Sequence, residues 1–215
     1  MSEASLAAWR REYTSGGLDE ADLADDPDVQ LARWLTEARI AGLPEPNAMV
    51  LSTVAADGTP SSRMVLLKGL DGGGLVFYTN YESRKSRDLD ADPRCCLLFP
   101  WQPLQRQVRV EGVARRLSTE VSDRYFATRP RGAQVGAWAS PQSSVVADRA
   151  ALEESYAAAA ARWRDSEPVP RPERWGGFVV DPVAMEFWQG RPDRMHDRLL
   201  YRRADDGWAV ERLAP

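Results

Sequence analysis

From residue 48 onward the chain is written in short apolar runs separated by turn chemistry, and that pattern limits the folds open to it more than any other feature. Residues 49–54 run into Asp57-Gly58, residues 62–68 into Asp71-Gly72-Gly73-Gly74, and residues 75–79 follow. Asp-Gly and Gly-Gly suit tight hairpin turns, whereas parallel strands need long crossovers, so the spacing predicts an antiparallel meander. Residues 95–99 and 107–117 add two strands, the second alternating Val108, Val110 and Gly112, and five strands favour a barrel. Further short strands are expected near 177–180, 185–188 and 199–203, with Asp205-Asp206-Gly207 turning into 208–213.

Helices flank these strands. A short one over residues 5–13 is stopped by Gly16-Gly17, and a second starts at Asp26-Pro27 and carries Leu31, Trp34, Leu35 and Ala38 at helical spacing up to Gly42. Ser83 and Ser118 stand where N-caps belong, before helices over 83–89 and 118–126; Pro130 ends the latter, and the alanine-rich 149–163 segment is helical. The expected class is mainly antiparallel β with flanking helices, in a single domain over 1–215. It comprises a helical arm (1–47), a barrel core with helices (48–165) and a C-terminal segment (173–215).

Charge narrows the partners. The 28 Lys and Arg against 32 Asp and Glu leave a net charge of -4, which gives no general pull toward nucleic acid or anionic membrane. With no apolar stretch approaching ~18 residues and no leader pattern, a soluble cytoplasmic protein is expected. Cys95 and Cys96 are adjacent in a strand and point to opposite faces, so neither a disulfide between them nor a metal site is expected.

Some residues carry chemistry. The single histidine, His196, lies in Trp188-Gln189-Gly190-Arg191-Pro192-Asp193-Arg194-Met195-His196-Asp197-Arg198, with Arg194 two residues away on the same side of a strand-like segment. Arg63 and Lys68 flank Met64-Val65-Leu66-Leu67, and Arg84-Lys85 open a helix, where free N–H groups favour an anion; a solvated helix face for Arg84, Lys85 and Arg87 is the competing reading. Three or four charge-assisted contacts of about 1.5–3 kcal/mol each account for much of a micromolar affinity. Tyr125 and Arg129, one helical turn apart, offer a second phosphate grip, or are ordinary surface. Trp138, Trp175 and Trp188 stack on a planar ring or belong to the core. Gly69-Leu70-Asp71-Gly72-Gly73-Gly74 joins two strands and is read as a hairpin, not a dinucleotide loop.

The motifs Arg10-Arg11-Glu12-Tyr13, Arg63-Met64-Val65-Leu66-Leu67-Lys68, Phe77-Tyr78-Thr79-Asn80, Ser83-Arg84-Lys85, Leu98-Phe99-Pro100-Trp101, Trp175-Gly176-Gly177-Phe178 and the tail together resemble the pyridoxine/pyridoxamine 5'-phosphate oxidase family, from about Arg10 to Pro215. The resemblance implies a split β-barrel homodimer with FMN between subunits, oxidising pyridoxamine and pyridoxine 5'-phosphates to pyridoxal 5'-phosphate while O2 becomes H2O2. It implies an FMN set of Arg63, Met64, Val65, Leu66, Leu67, Lys68, Tyr78, Thr79, Arg84, Lys85, Gln107, Gln142, Ser143, Trp188 and Arg198. It also implies substrate contacts at Arg10, Arg11, Glu12, Tyr13, Lys68, Tyr125, Arg129, Arg194, Met195 and His196, with Arg194 and His196 at the chemistry, and 173–215 as the dimerisation and active-site segment. Where the family commonly has a serine after Arg-Pro-Arg-x, this chain has Ala133, one hydroxyl donor fewer. A split-barrel flavin or deazaflavin reductase and a non-catalytic pyridoxal phosphate or flavin carrier are the alternatives.

Overall fold

The computed structural model describes residues 9, 12–14 and 16–215. In chain order it contains α1 (Pro27–Ile40), β1 (Ala48–Val54), β2 (Pro60–Leu66), β3 (Gly69–Asp71), β4 (Gly74–Asn80), α2 (Arg84–Ala91), β5 (Arg94–Trp101), β6 (Arg106–Arg116), α3 (Thr119–Ala127), α4 (Arg131–Ala139), α5 (Arg149–Arg162), β7 (Trp175–Gln189), β8 (Asp197–Ala204) and β9 (Gly207–Arg212). Two compact units divide the chain: one takes Met1–Met49, Leu97–Glu111 and Val183–Pro215, the other Val50–Cys96 and Gly112–Pro182.

In the second unit β3 pairs with β4 around Gly72 and Gly73, whose φ angles of 56° and 87° make the predicted hairpin. The N-terminal half of β7 runs antiparallel to β4, Phe77 opposite Phe178, and those two rings stack at 5.5 Å in a core with Leu75, Val179 and Val180. Ser118 caps α3 by accepting from the Val121 N–H at 3.4 Å. Ser83 occupies the N-cap of α2, but its hydroxyl makes no cap bond and instead meets Ser86 and Lys85. Helix α4 was not anticipated. Pro130 ends one helical pattern and stands at the N-cap of the next, where its missing N–H costs nothing.

In the first unit the C-terminal half of β7 pairs with β8, Trp188 opposite Arg198, and β8 pairs with β9. Asp26 caps α1 through the Asp28 N–H at 2.8 Å, and the helix buries Leu31, Trp34 and Ala38. Trp34 meets Phe187 edge to face at 5.2 Å, and Arg106 covers its ring at 4.3 Å.

Two expectations are corrected. The strands expected at 177–180 and 185–188 are one strand, β7, because Asp181-Pro182 continues extended backbone rather than turning. The segment around Arg194 and His196 is not strand-like: Pro192–Arg194 forms a 3-10 turn in which Asp193 and Arg194 take left-handed φ angles of 54° and 60°. The helix expected over residues 5–13 lies mostly outside the described residues, and Trp9, Glu12 and Tyr13 within it are not helical.

Candidate active site

A cavity of about 800 Å³ opens in the second unit, within the size range of small-molecule sites. Of the residues expected at a cofactor, Arg63, Met64, Val65, Leu66, Lys68, Tyr78, Thr79, Arg84, Lys85, Gln142 and Ser143 line it. Leu67 does not; it lies just past the end of β2 and is buried in the core, 7% exposed.

Lys85 is the centre of its cationic end. The side chain is 8% exposed, and Nζ donates to Gln142 Oε1 at 2.9 Å, Thr79 Oγ1 at 3.1 Å and Ser83 Oγ at 3.2 Å. These partners are all neutral. Burial, with Arg63 nearby, pushes the ammonium down to about 8. Arg63 reaches in from β2, donating to Thr53 Oγ1 at 2.7 Å and Ser61 Oγ at 2.8 Å, with Asp88 at 3.7 Å. The solvated-face reading therefore fails for Lys85 and for Arg84, which lines the cavity though exposed, and holds for Arg87.

Tyr125 and Arg129 line the same cavity. Helix α3 ends before Arg129, with Thr128 as its C-cap, so the guanidinium is placed by a stacking partner rather than by helical phase alone. Tyr125 lies flat on Tyr78 with centroids 3.8 Å apart, Tyr78 stacks on Trp175 at 5.4 Å, and Arg129 sits 4.5 Å over the Trp175 ring. Arg129 Nη1 is buried and has no hydrogen-bond partner among the described residues. A cationic donor stripped of water and left unpaired is costly, and an anionic oxygen is the group that relieves it. Burial lowers the Arg129 pKa, Tyr125 opposing, and burial raises that of Tyr125, Arg129 opposing. Thr128 and Pro130 belong to the wall as well, whereas Ala133 does not line it.

The remaining expected residues are in the first unit. Glu12, Tyr13, Arg194 and His196 line a cavity of about 540 Å³ together with Trp9, Arg191 and Asp193. Met195 is 65% exposed and outside this lining. His196 lies 4.6 Å from Trp188 and 5.5 Å from Tyr13, centroid to centroid, and its Nδ1 accepts the Arg191 N–H at 3.1 Å. Burial and the charge of Arg194 lower its pKa, opposed by Asp197. Arg198 and Arg109 converge on Glu186 at 2.7 Å each; Gln107 is half-buried on β6. Arg10 and Arg11 lie outside the described residues.

Sequence reasoning missed Glu186, although a carboxylate within the apolar run Val183-Ala184-Met185-Glu186-Phe187-Trp188 was a visible signal. It is 3% exposed; burial raises its pKa, but the Arg198 and Arg109 hydrogen bonds outweigh that and the net shift is downward. Among the described residues no group of His, Cys, Asp and Glu can hold a metal ion, and no helix is long and apolar enough to cross a membrane.

Known proteins match the chain in two blocks. Residues 35–162 match the family model described as "Pyridoxamine 5'-phosphate oxidase", and residues 175–215 the model described as "Pyridoxine 5'-phosphate oxidase C-terminal dimerisation region". A pyridoxine/pyridoxamine 5'-phosphate oxidase of a Nocardioides species is 58% identical over 215 residues, covering 100% of both chains; that of Salinibacter ruber is 57% identical over 212, covering 98% of this chain and 99% of its own. Among solved structures, PhzG from Burkholderia lata in complex with tetrahydrophenazine-1-carboxylic acid superposes with a TM-score of 0.87 at 32% identity, covering 94% of this chain and 100% of that one. An FMN binding protein of Nostoc punctiforme shares the fold at TM-score 0.70 and 20% identity, covering 87% of this chain and 96% of its own. The fold is the split barrel expected of such relatives, and the chain belongs to the pyridoxamine 5'-phosphate oxidase family.

Proposed function

We propose that this chain is an FMN-dependent oxidase that converts pyridoxamine 5'-phosphate and pyridoxine 5'-phosphate to pyridoxal 5'-phosphate, with O2 reduced to H2O2. The observation that carries the reading is the pairing of two anion grips in one cavity: Lys85 with Arg63 and Arg84, and Arg129 with Tyr125, its Nη1 unsatisfied. Two phosphate esters, one on the cofactor and one on the substrate, match two grips. The residues fit the cofactor, since Lys85 meets only neutral partners and the nearby carboxylate, Asp88, lies against Arg63 rather than Lys85. Bound FMN supplies the two-electron oxidant, which oxygen regenerates.

The protein's own part is binding and orientation. Arg129 and Tyr125 hold the substrate phosphate, Lys68 reaches the same space, and Arg194 and His196 hold the substrate's alcohol or amine. In this reading two copies pair, and each site takes Gln107, Trp188, Arg194, His196 and Arg198 from one protomer and the phosphate grips from its partner. The match to the family's dimerisation region supports that pairing.

The similarity to PhzG favours one second reading, oxidation of a planar heterocyclic carboxylate. Anaerobic mixing of FMN-loaded protein with pyridoxamine 5'-phosphate, followed by oxygen, tests both. Loss of flavin absorbance and its return with peroxide supports the proposal. Reduction only by a reduced phenazine carboxylate supports the second reading, reduction without oxygen-driven return a reductase, and tight binding without reduction a carrier.

A further inference from the structure

Arg191 has no part in the chemistry above, yet it touches several components of the His196 cavity. Its main-chain N–H donates to His196 Nδ1 at 3.1 Å, and its guanidinium Nε donates to Asp197 Oδ2 at 2.6 Å. The same carboxylate oxygen accepts the Leu18 N–H at 2.9 Å. The guanidinium also lies directly against Gly17: a Cβ on that glycine, whose φ is +94°, would fall 2.4 Å from the guanidinium carbon. Upstream, the Thr14 N–H donates to Gln105 Oε1 at 3.0 Å, and Tyr13 packs so closely on Gly190 that a Cβ there would lie 2.9 Å from the ring.

We infer that Arg191 is the positioning residue of this cavity: its main-chain N–H fixes His196 as the Nε2–H tautomer, and its guanidinium latches Gly17 and, through Asp197, Leu18, next to the residues that bring in Tyr13. A neutral imidazole has one donor and one acceptor nitrogen, so a main-chain N–H on Nδ1 leaves the proton on Nε2. A second proton on Nδ1 would set two N–H groups against each other. The charge of Arg194 also disfavours it and Asp197 opposes that, while Arg191, Glu12 and Asp193 are the other charged groups lining the cavity. His196 therefore offers a hydrogen bond from Nε2 to a lone pair of the bound molecule and does not take a proton from it. The geometry stands by itself; its catalytic consequence rests on the oxidase reading.

The chain has one histidine, so imidazole nitrogen NMR gives one set of resonances. In wild type at neutral pH the Nε2–H tautomer is expected, with and without pyridoxamine 5'-phosphate. Arg191→Gln keeps the main-chain N–H and removes the latch: the tautomer persists, Leu18 and Thr14 amides exchange faster, and KM for pyridoxamine 5'-phosphate rises about tenfold, more than kcat falls, as loss of a charge-assisted contact implies. FMN affinity stays within about twofold, because the latch lies outside the phosphate grip. Gly17→Ala reproduces the faster exchange with Arg191 intact. An Nδ1–H tautomer in wild type overturns the inference, as does unchanged Leu18 exchange in both variants. If no variant or wild type oxidises the substrate, the proposed function falls while the NMR and exchange measurements still judge Arg191.

Discussion

Lys85 is a charge held ready for a ligand at the expense of the empty protein, and this can be measured. Its ammonium is pushed from 10.5 down to about 8 by burial and by Arg63. At about 1.4 kcal/mol per pKa unit, the charged form costs the apoprotein on the order of 3 kcal/mol. Because the folded pKa lies below the unfolded one, the cost is fully present below pH ~8 and disappears as pH rises toward 10.5. Urea unfolding of apoprotein tests this as a difference between wild type and Lys85→Met, which cancels every other titration. From pH 7 to 10 wild type should gain on the order of 3 kcal/mol relative to the variant. FMN titration supplies the other half: affinity of wild type should fall about tenfold per pH unit above 8, and that of Lys85→Met, weaker by roughly ten- to a hundredfold at pH 7, should be flat across that range. If the stability difference between the two proteins does not move with pH, Lys85 is not held near neutrality and the account is refuted.

Arg129→Met removes the unpaired buried guanidinium nitrogen, so KM for a phosphorylated substrate should rise by about ten- to a hundredfold with FMN affinity little changed; steady-state kinetics and flavin fluorescence read the two separately. Glu186→Leu leaves Arg109 and Arg198 without their shared carboxylate and should cost about 3–5 kcal/mol in urea unfolding. The net downward pKa of Glu186 adds a contribution to stability that is present above the ordinary carboxylate range and lost in acid, so wild type and Glu186→Gln should converge in stability as pH falls through it. Phe187→Ala, at the ring that meets Trp34, should destabilise by about 3–5 kcal/mol in the same assay.

The strands of the meander, the caps at Asp26 and Ser118 and the buried face of β6 at Val108, Val110 and Gly112 follow from alternation and turn chemistry, which act over a few residues. The cationic cluster was legible because Arg63 stands on a strand, Lys68 follows that strand, and Arg84 and Lys85 open a helix. What escaped depends on partners distant in sequence. Lys85 differs from Arg84 in turning inward onto Gln142, Thr79 and Ser83, and Arg129 from a surface arginine in lying over Trp175 with its Nη1 buried. Helix α4 was hidden because Pro130 reads equally as an end and a beginning. The two strands merged in β7 were separated by Asp181-Pro182, residues that usually turn but here sit where a strand tolerates them.

Arg212 donates to Asp197 at 2.7 Å, to Glu20 at 2.8 Å and to Asp19 at 3.3 Å, while Asp197 also holds Leu18. Residues 18–20 are thus clasped by a side chain 192 positions further along the chain than Glu20. A contact of that sequence separation closes a very long loop before it yields any stabilisation, so the wall contributed by Tyr13 should settle late in folding. In refolding followed by pulsed amide exchange, the Leu18 amide should accordingly gain protection after the strands of the second unit, and earlier protection would refute this.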